Sequence, residues 1–227
     1  MENQEPLPSL AEQAYLRLRQ EILVCTLAPG QVVTERELAG RYEMSKTPIR
    51  EALTQVCHDG LVQRLPGRGY MVAPITVKDL RDLFGMRLIL EVAAAERAAR
   101  EPSPAVVAEL RMLSSISYDP EDSQSHVQFL NGNRIFHLTL AHAAGNRRLT
   151  LALEGLLLEL DRSFYLGLRL RDSSGEMKRE HEEVVDLLEA GDVEGLKNCI
   201  EMQIVTSRNR ILEAIMQGDL PNVQLGG

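Results

Sequence analysis

Apolar residues spaced three and four positions apart predict two short, adjacent helices in the first third of the chain. Thr34 is the expected N-cap of the first helix, over residues 35–42, and Glu37 completes a capping box. A three-residue turn leads to a second helix that extends to about residue 59, where Gly60 ends it. The inward positions of the two helices are Leu38, Ala39, Tyr42, Ile49, Ala52, Leu53 and Val56. This arrangement is that of a helix-turn-helix.

The flanking residues predict the rest of a small domain. A helix capped by Ser9 extends to about residue 23, and residues 31–33 form a short strand or an extended connector. Residues 61–65 and 70–73 predict two strands that are joined by the turn Pro66-Gly67-Arg68-Gly69. An arginine between two glycines at the tip of such a hairpin is well suited to reach a neighbouring DNA groove or backbone.

Apolar stripes after residue 76 predict a second, all-helical domain of six or seven helices. The predicted helices cover residues 77–100, 103–115, 125–144, 146–170, 176–190 and 192–216. The expected fold class is therefore mainly α, with an N-terminal helix-turn-helix and hairpin domain over residues 9–74 and an antiparallel helical bundle over residues 76–217. We expect residues 1–8 to be a disordered arm and residues 218–227 to be a tail.

The first turn of the second helix concentrates side chains that suit DNA. It carries Ser45, Lys46, Thr47 and Arg50. Hydroxyl groups and a helix N-terminus can hold phosphates, while arginine or lysine can make a bidentate contact to guanine. The alternative is a small helical core with a solvated basic edge. The order of helix, turn, helix and hairpin favours DNA binding.

The distribution of charge refines this expectation. The net charge is −8, yet residues 1–75 carry 8 basic and 9 acidic side chains, and the remaining residues carry 17 and 24. Most of the negative charge therefore belongs to the helical domain. A basic patch on an acidic protein predicts modest affinity for each monomer and strong dependence on salt, which favours a homodimer.

Cysteine usage and hydropathy predict a cytoplasmic protein. The three cysteines, at 25, 57 and 199, are widely spaced and form no CxxC pair, so neither disulfides nor a zinc knuckle are expected. The first residues have no signal-peptide pattern. Charged residues interrupt the longest apolar tract, over residues 149–160, so no membrane-spanning segment is expected.

These motifs resemble the winged helix-turn-helix of GntR-type bacterial transcription regulators. The resemblance covers roughly residues 9–74 and is carried by four segments: Thr34-Glu35-Arg36-Glu37-Leu38-Ala39, Ser45-Lys46-Thr47-Pro48-Ile49-Arg50-Glu51-Ala52-Leu53, Asp59-Gly60-Leu61-Val62 and Gly67-Arg68-Gly69. It implies that bases and phosphates are contacted by Arg36, Ser45, Lys46, Thr47 and Arg50, with Gly67 and Arg68 at the wing.

Polar residues also occur within the apolar stripes of the predicted bundle. Arg87 occupies a core position and needs an anion, which either Glu91 one turn later or a ligand could supply. The other inward polar residues are Asn133, His137, His181 and Gln203. Each alone is more often a satisfied core group, but together they predict a polar pocket. We expect His126 and His142 to lie off this face, at the surface or in loops.

The second half resembles the ligand-responsive FCD domain of the FadR branch of the same family. The resemblance rests on Arg87-Leu88-Ile89-Leu90-Glu91, Asn133 through His137 to Gly145-Asn146, and Glu180-His181 through Ala190-Gly191-Asp192. In that family an Asp and three His often hold a divalent metal, and Asn133, His137, His181 and Gln203 stand at those positions here. Two of these four residues, Asn133 and Gln203, are neutral amides, which bind Zn²⁺ or Ni²⁺ weakly. A metal site at His137, His181 and Asn133 would therefore be weak, and a metal-poor effector pocket is favoured. Arg87, and secondarily Arg162, is expected to bind an effector carboxylate or phosphate.

Together these features predict a ligand-responsive DNA-binding transcription regulator. It would bind an inverted-repeat operator as a homodimer and respond to a small organic acid, and the family resemblance favours a repressor. One alternative keeps the fold and binds an acyl-CoA-like effector without metal. Another is a metal-dependent hydrolase that uses His137 and His181, although no general base is evident beside them. No catalytic residues are expected.

Overall fold

The computed structural model describes residues 8–119, 122–217 and 223–224, and the chain divides between Ile75 and Thr76 into two compact units. The first unit contains α1 (Leu10–Leu23), β1 (Val32–Val33), α2 (Glu35–Tyr42), α3 (Lys46–His58), β2 (Val62–Leu65) and β3 (Gly69–Val72). The predicted arm, apart from residue 8, and the predicted tail, apart from residues 223–224, lie outside the described residues.

The three helices of the first unit share one apolar core. It is formed by Ala14, Leu18 and Ile22 of α1, Leu38 and Tyr42 of α2, and Ile49, Ala52, Leu53 and Val56 of α3. The predicted caps explain two of the helix starts, because Ser9 Oγ accepts from the Glu12 N–H at 3.2 Å and Thr34 Oγ1 accepts from the Glu37 N–H at 3.2 Å. The helix-turn-helix is therefore set by local capping and by its buried stripe.

A three-stranded antiparallel sheet completes this unit, in the order β1-β3-β2. Val33 pairs with Tyr70, and Arg64 also pairs with Tyr70 from the other side. Gly69 begins β3 with φ +111°, and a Cβ there would lie 2.4 Å from the Val33 carbonyl oxygen. Only glycine fits at this point of close approach between β1 and β3.

The second unit is a bundle of long helices. Its elements are α4 (Val77–Arg100), α5 (Pro104–Ser114), α6 (Ser123–Ala143), α7 (Arg147–Leu170), α8 (Ser174–Glu189) and α9 (Val193–Gln217). The described residues also include β4 (Ile75–Thr76), which contains the boundary between the two units, and β5 (Val223–Gln224). The predicted fold class, mainly α with an N-terminal helix-turn-helix and hairpin domain and a helical bundle, is confirmed.

Two of these helices begin two residues earlier than predicted. Asp122 caps α6 by accepting from the Gln124 N–H at 2.9 Å, and Asp172 accepts from the Ser174 N–H at 2.9 Å at the start of α8. In both cases an aspartate stabilises an additional half-turn. Within the described ranges, no helix combines the length and the apolar character needed to cross a membrane.

Candidate functional site

The outward face of α3 carries the side chains that were expected to contact DNA. Ser45, Lys46, Thr47 and Arg50 are all exposed. On the opposite face Ile49 and Leu53 are buried in the core of the unit. Burial of these two residues fixes the rotation of α3, so the four polar side chains share one accessible surface.

The N-terminus of α3 has features of an anion site. Ser45 has N-cap backbone geometry, but its hydroxyl accepts no hydrogen bond from the helix, and the first turn contains no acidic residue. The hydroxyl, the first N–H groups of the helix and the adjacent Lys46 can therefore all face a phosphate.

Arg50 is held at the surface by a carboxylate of the neighbouring helix. Its Nε donates to Glu35 Oε1 at 3.0 Å, and its Nη2 donates to Glu35 Oε2 at 2.8 Å. Tyr70 on β3 donates its hydroxyl to the same Oε1 at 3.2 Å. The hydrogen bonds from Arg50 lower the pKa of Glu35, so the carboxylate is ionised at neutral pH. Neither Glu35 nor Tyr70 is predictable from the sequence as part of this site, because they lie 15 and 20 residues from Arg50 along the chain.

The hairpin presents a second cation at its tip. The Arg68 N–H donates to the Leu65 carbonyl oxygen at 3.0 Å, which closes the turn, and its side chain is exposed. Gly67 supplies the left-handed backbone of the turn with φ +73°. Arg36, on α2, is also exposed. All seven positions that were expected to contact DNA are therefore accessible on the first unit.

In the second unit, Arg87 lies at the centre of a fully buried polar cluster. Its Nε donates to Glu91 Oε1 at 2.5 Å, and its Nη2 donates to His137 Nε2 at 2.8 Å. Glu91 Oε2 lies 2.7 Å from His137 Nδ1. The side chains of Arg87 and Glu91 are only 1% and 2% exposed. Of the two anion sources left open for Arg87, the structure shows the protein's own Glu91.

The charges in this cluster are one cation, one anion and a neutral imidazole. Because a guanidinium can only donate, Nε2 of His137 accepts and its proton is assigned to Nδ1, facing Glu91. Burial alone would raise the pKa of Glu91, but the adjacent Arg87 guanidinium outweighs this effect and holds the pKa below its usual value. Burial lowers the pKa of His137, which keeps this ring neutral at physiological pH.

His181 on α8 extends the cluster. Its ring stacks on Phe136 with centroids 4.0 Å apart and meets the His137 ring edge-on at 5.3 Å. Burial, and then the nearby His137 and Arg87, hold the pKa of His181 well below its usual value. The structure thus brings Arg87, His137 and His181 together.

The remaining candidates for the effector pocket are buried as well. They are Asn133, Arg162 and Gln203. The side-chain oxygen of Gln203 has no hydrogen-bond partner among the described residues, and the same holds for Nη1 of Arg87. A buried donor and a buried acceptor that both lack a partner are costly, and a polar ligand could satisfy them.

The residues around His137 do not fit a divalent metal. A metal bound at Nε2 would compete for the lone pair that accepts from Arg87 and would lie beside a guanidinium charge. Within the described residues, no group of three or more His, Cys, Asp or Glu side chains is arranged to hold a metal ion. The replacement of two expected ligands by Asn133 and Gln203 points in the same direction.

The expectation for His126 was wrong. Its side chain is buried, and its ring lies 4.4 Å from the Tyr118 ring and 6.1 Å from the Tyr165 ring. The signal was present in the sequence, because His126 precedes Asn133 by seven residues and therefore shares its helix face. His142 is exposed, as expected.

Comparison with known proteins identifies the family. The family model "Bacterial regulatory proteins, gntR family" matches residues 10–72, and the model "FCD domain" matches residues 82–206. An uncharacterized HTH-type transcriptional regulator from an unstable DNA locus of Streptomyces ambofaciens is 31% identical over 79% of this chain and 75% of its own length. The chain belongs to the GntR family. It is an FCD-containing transcription regulator, and the hydrolase alternative is wrong because these proteins are not enzymes.

Further similarities extend over most of the chain. The HTH-type transcriptional repressor RspR of Escherichia coli is 25% identical to this GntR regulator over 88% of the chain and 87% of RspR. The structure of E. coli McbR/YncC has a TM-score of 0.72 at 23% identity and covers 92% of this chain and 100% of that one. A putative GntR regulator from Rhodococcus sp. RHA1 has a TM-score of 0.73 at 23% identity over 91% and 99%. These two structures show a common fold.

Proposed function

We propose that the protein is a homodimeric repressor of the FadR branch, which acts in the cytoplasm, binds an inverted-repeat operator and responds to a small organic acid. The observation that carries the DNA-binding part is the exposed polar face of α3, with its open N-terminus and Arg50. Residues 9–74 serve as the DNA-binding domain and residues 76–217 as the effector-binding domain.

The seven exposed positions divide into two roles. Arg50 reads a base edge in the major groove, because arginine can donate two parallel hydrogen bonds to guanine. Ser45, Lys46, Thr47 and Arg36 hold phosphates or neighbouring bases around it. Arg68, placed at the tip by Gly67, contacts the backbone or the adjacent groove.

Arg50→Ala tests the DNA-reading assignment. Selection from a library of duplexes with random cores should give a preferred sequence for the wild type. The affinity of each variant for that duplex is then measured by fluorescence anisotropy. We expect Arg50→Ala to lose this preference by more than about tenfold, because the bidentate contact supplies discrimination. Arg100→Ala removes the same charge from an exposed site on α4 and should bind like the wild type. Full operator affinity in Arg50→Ala would contradict the assignment.

The outer face of α4 supports the homodimer. Met86 and Ile89 are exposed large apolar side chains one turn apart, and Gly85 and Ala93 are exposed on the same face. Two copies of a helix with small and apolar residues can pack closely along such a face. Sedimentation velocity should give a dimer at micromolar concentration, and a monomer that still binds the selected duplex would contradict this part of the proposal.

The buried cluster supports an effector site in the helical unit. Nη1 of Arg87 offers a donor and the Gln203 oxygen offers an acceptor, and both lack partners among the described residues. Asn133, His137, His181 and Arg162 are the further effector-binding candidates. An effector changes DNA binding only if it binds one dimer arrangement more tightly than the other.

Thermal shift measurements with a panel of organic acids test this site, with and without added Zn²⁺. We expect at least one acid to stabilise the protein in the absence of metal, and the double change Arg87→Met with Glu91→Leu, which leaves no unpaired buried charge, to abolish the shift. Stabilisation that requires Zn²⁺ would contradict a metal-free site. Stabilisation by thioesters of coenzyme A alone would instead favour the acyl-CoA-like effector.

A further inference from the structure

Glu35, the first residue of α2, joins three elements on the surface proposed to face DNA. Its Oε1 accepts from Arg50 Nε at 3.0 Å and from the Tyr70 hydroxyl at 3.2 Å, while its Oε2 accepts from Arg50 Nη2 at 2.8 Å. One carboxylate therefore connects α2, α3 and β3.

The edge of the Arg50 guanidinium that Glu35 occupies determines whether Arg50 can still contact a base. Arg50 has five N–H donors, and the carboxylate engages one on Nε and one on Nη2. The other edge, formed by Nη1 and Nη2, keeps its outward N–H groups. A guanine accepts two N–H groups on O6 and N7. Arg50 can thus be held by Glu35 on one edge and contact guanine with the other.

The contribution of this pair to stability is small, because it is exposed. The side chain of Arg50 is 63% exposed, whereas that of Glu35 is 23% exposed and Tyr70 is buried. Solvent screens an ion pair of this kind. The contacts instead fix orientation. The buried Tyr70 hydroxyl restricts the Glu35 carboxylate, and the carboxylate in turn restricts the more exposed Arg50 guanidinium. A guanidinium that is already oriented loses less conformational freedom when it binds.

We infer that Glu35 is a positioning residue that sets the base-pair discrimination of Arg50, with Tyr70 fixing the direction of the carboxylate. This inference rests on the proposed DNA-reading role of Arg50. It differs from an inhibitory contact, in which Glu35 would withhold the cation from DNA. The two roles have opposite consequences, because removal of an inhibitory carboxylate would strengthen specific binding.

Glu35→Gln separates these roles. Glutamine keeps the size of the side chain but replaces one acceptor oxygen with an NH₂ group, so only one of the two engaged N–H groups of Arg50 keeps an acceptor. Affinities are measured for the duplex selected by the wild type, for its single-base-pair variants and for an unrelated duplex. We expect Glu35→Gln to lose about tenfold discrimination at the same G·C pair that Arg50→Ala ceases to read. Binding to the unrelated duplex should be equal or tighter, because a negative charge has been removed.

Two further variants complete the test. Glu37→Gln removes the same charge from an exposed position on α2 and should retain the wild-type discrimination. Tyr70→Phe keeps the ring but removes the hydroxyl, and should lose discrimination at the same base pair by a smaller factor. Melting temperatures verify that every variant is folded.

Three outcomes would overturn the inference. Unchanged discrimination in both Glu35→Gln and Tyr70→Phe would show that Arg50 orients itself. Tighter and equally selective binding by Glu35→Gln would show an inhibitory contact. Failure of the wild type to select any sequence would overturn the proposed function, and this inference with it.

Discussion

Replacement of Glu91 by alanine should strongly destabilise the helical unit. Glu91 is the anionic partner of Arg87, and both side chains are almost fully buried. Glu91→Ala leaves a guanidinium in the core whose remaining hydrogen-bond partner among the described residues is the neutral His137. Loss of one partner from a buried ion pair costs about 3–5 kcal/mol, because the remaining charge is neither hydrated nor neutralised.

This cost corresponds to a large change in melting temperature. For a domain of roughly this size, 1 kcal/mol shifts the melting temperature by about 2–4 °C. Glu91→Ala should therefore lower the melting temperature of the helical unit by roughly 6–20 °C. Differential scanning calorimetry of the whole protein measures this shift directly.

Two matched variants show whether burial is the cause. Asp82→Ala breaks an exposed pair on the same helix and with the same spacing, in which Lys78 Nζ lies 2.6 Å from Asp82. It should leave the transition nearly unchanged, because solvent screens that pair. The double change Arg87→Met with Glu91→Leu should recover most of the stability, because apolar residues of similar volume leave no buried charge. If Glu91→Ala behaved like Asp82→Ala, the assumption of a water-excluded ion pair would be refuted.

Two further predictions concern the wing and the buried histidines. Arg68→Ala should reduce the slope of log K against log salt concentration by about one, because one phosphate contact is lost. An unchanged slope in a titration from roughly 50 to 300 mM salt would argue against that contact. The lowered pKa of His181 means that protons bind more readily to the unfolded state, so stability should fall as pH drops below about 6.5. Urea midpoints measured between about pH 7.5 and 5.5 should therefore show a smaller loss of stability in His181→Gln than in the wild type.

Local signals made most of the fold predictable. The limits of α2 follow from Thr34 at one end and from the apolar period up to Tyr42, and the predicted range equals the observed one. The predicted helix starts were less accurate where two polar residues could each serve as the N-cap. At α8 the aspartate at 172 adds residues that the periodic pattern does not require.

The candidate sites were only partly predictable. The spacing of Arg87 and Glu91 by one helical turn is visible in the sequence, but not whether a ligand or the protein supplies the anion. Contacts between distant elements leave no such trace. The link from Arg50 to Glu35 and Tyr70 depends on how two helices and a strand pack, and no period in the sequence encodes it.

The two glycines that flank Arg68 differ in the substitutions that they can tolerate. At Gly67 a Cβ would meet no atom within 4 Å, and asparagine adopts its left-handed backbone at modest cost. At Gly69 any side chain would collide with the Val33 carbonyl oxygen and separate β1 from β3. Substitution at Gly67 is therefore limited by what the tip of the hairpin contacts, whereas substitution at Gly69 is limited by folding of the sheet.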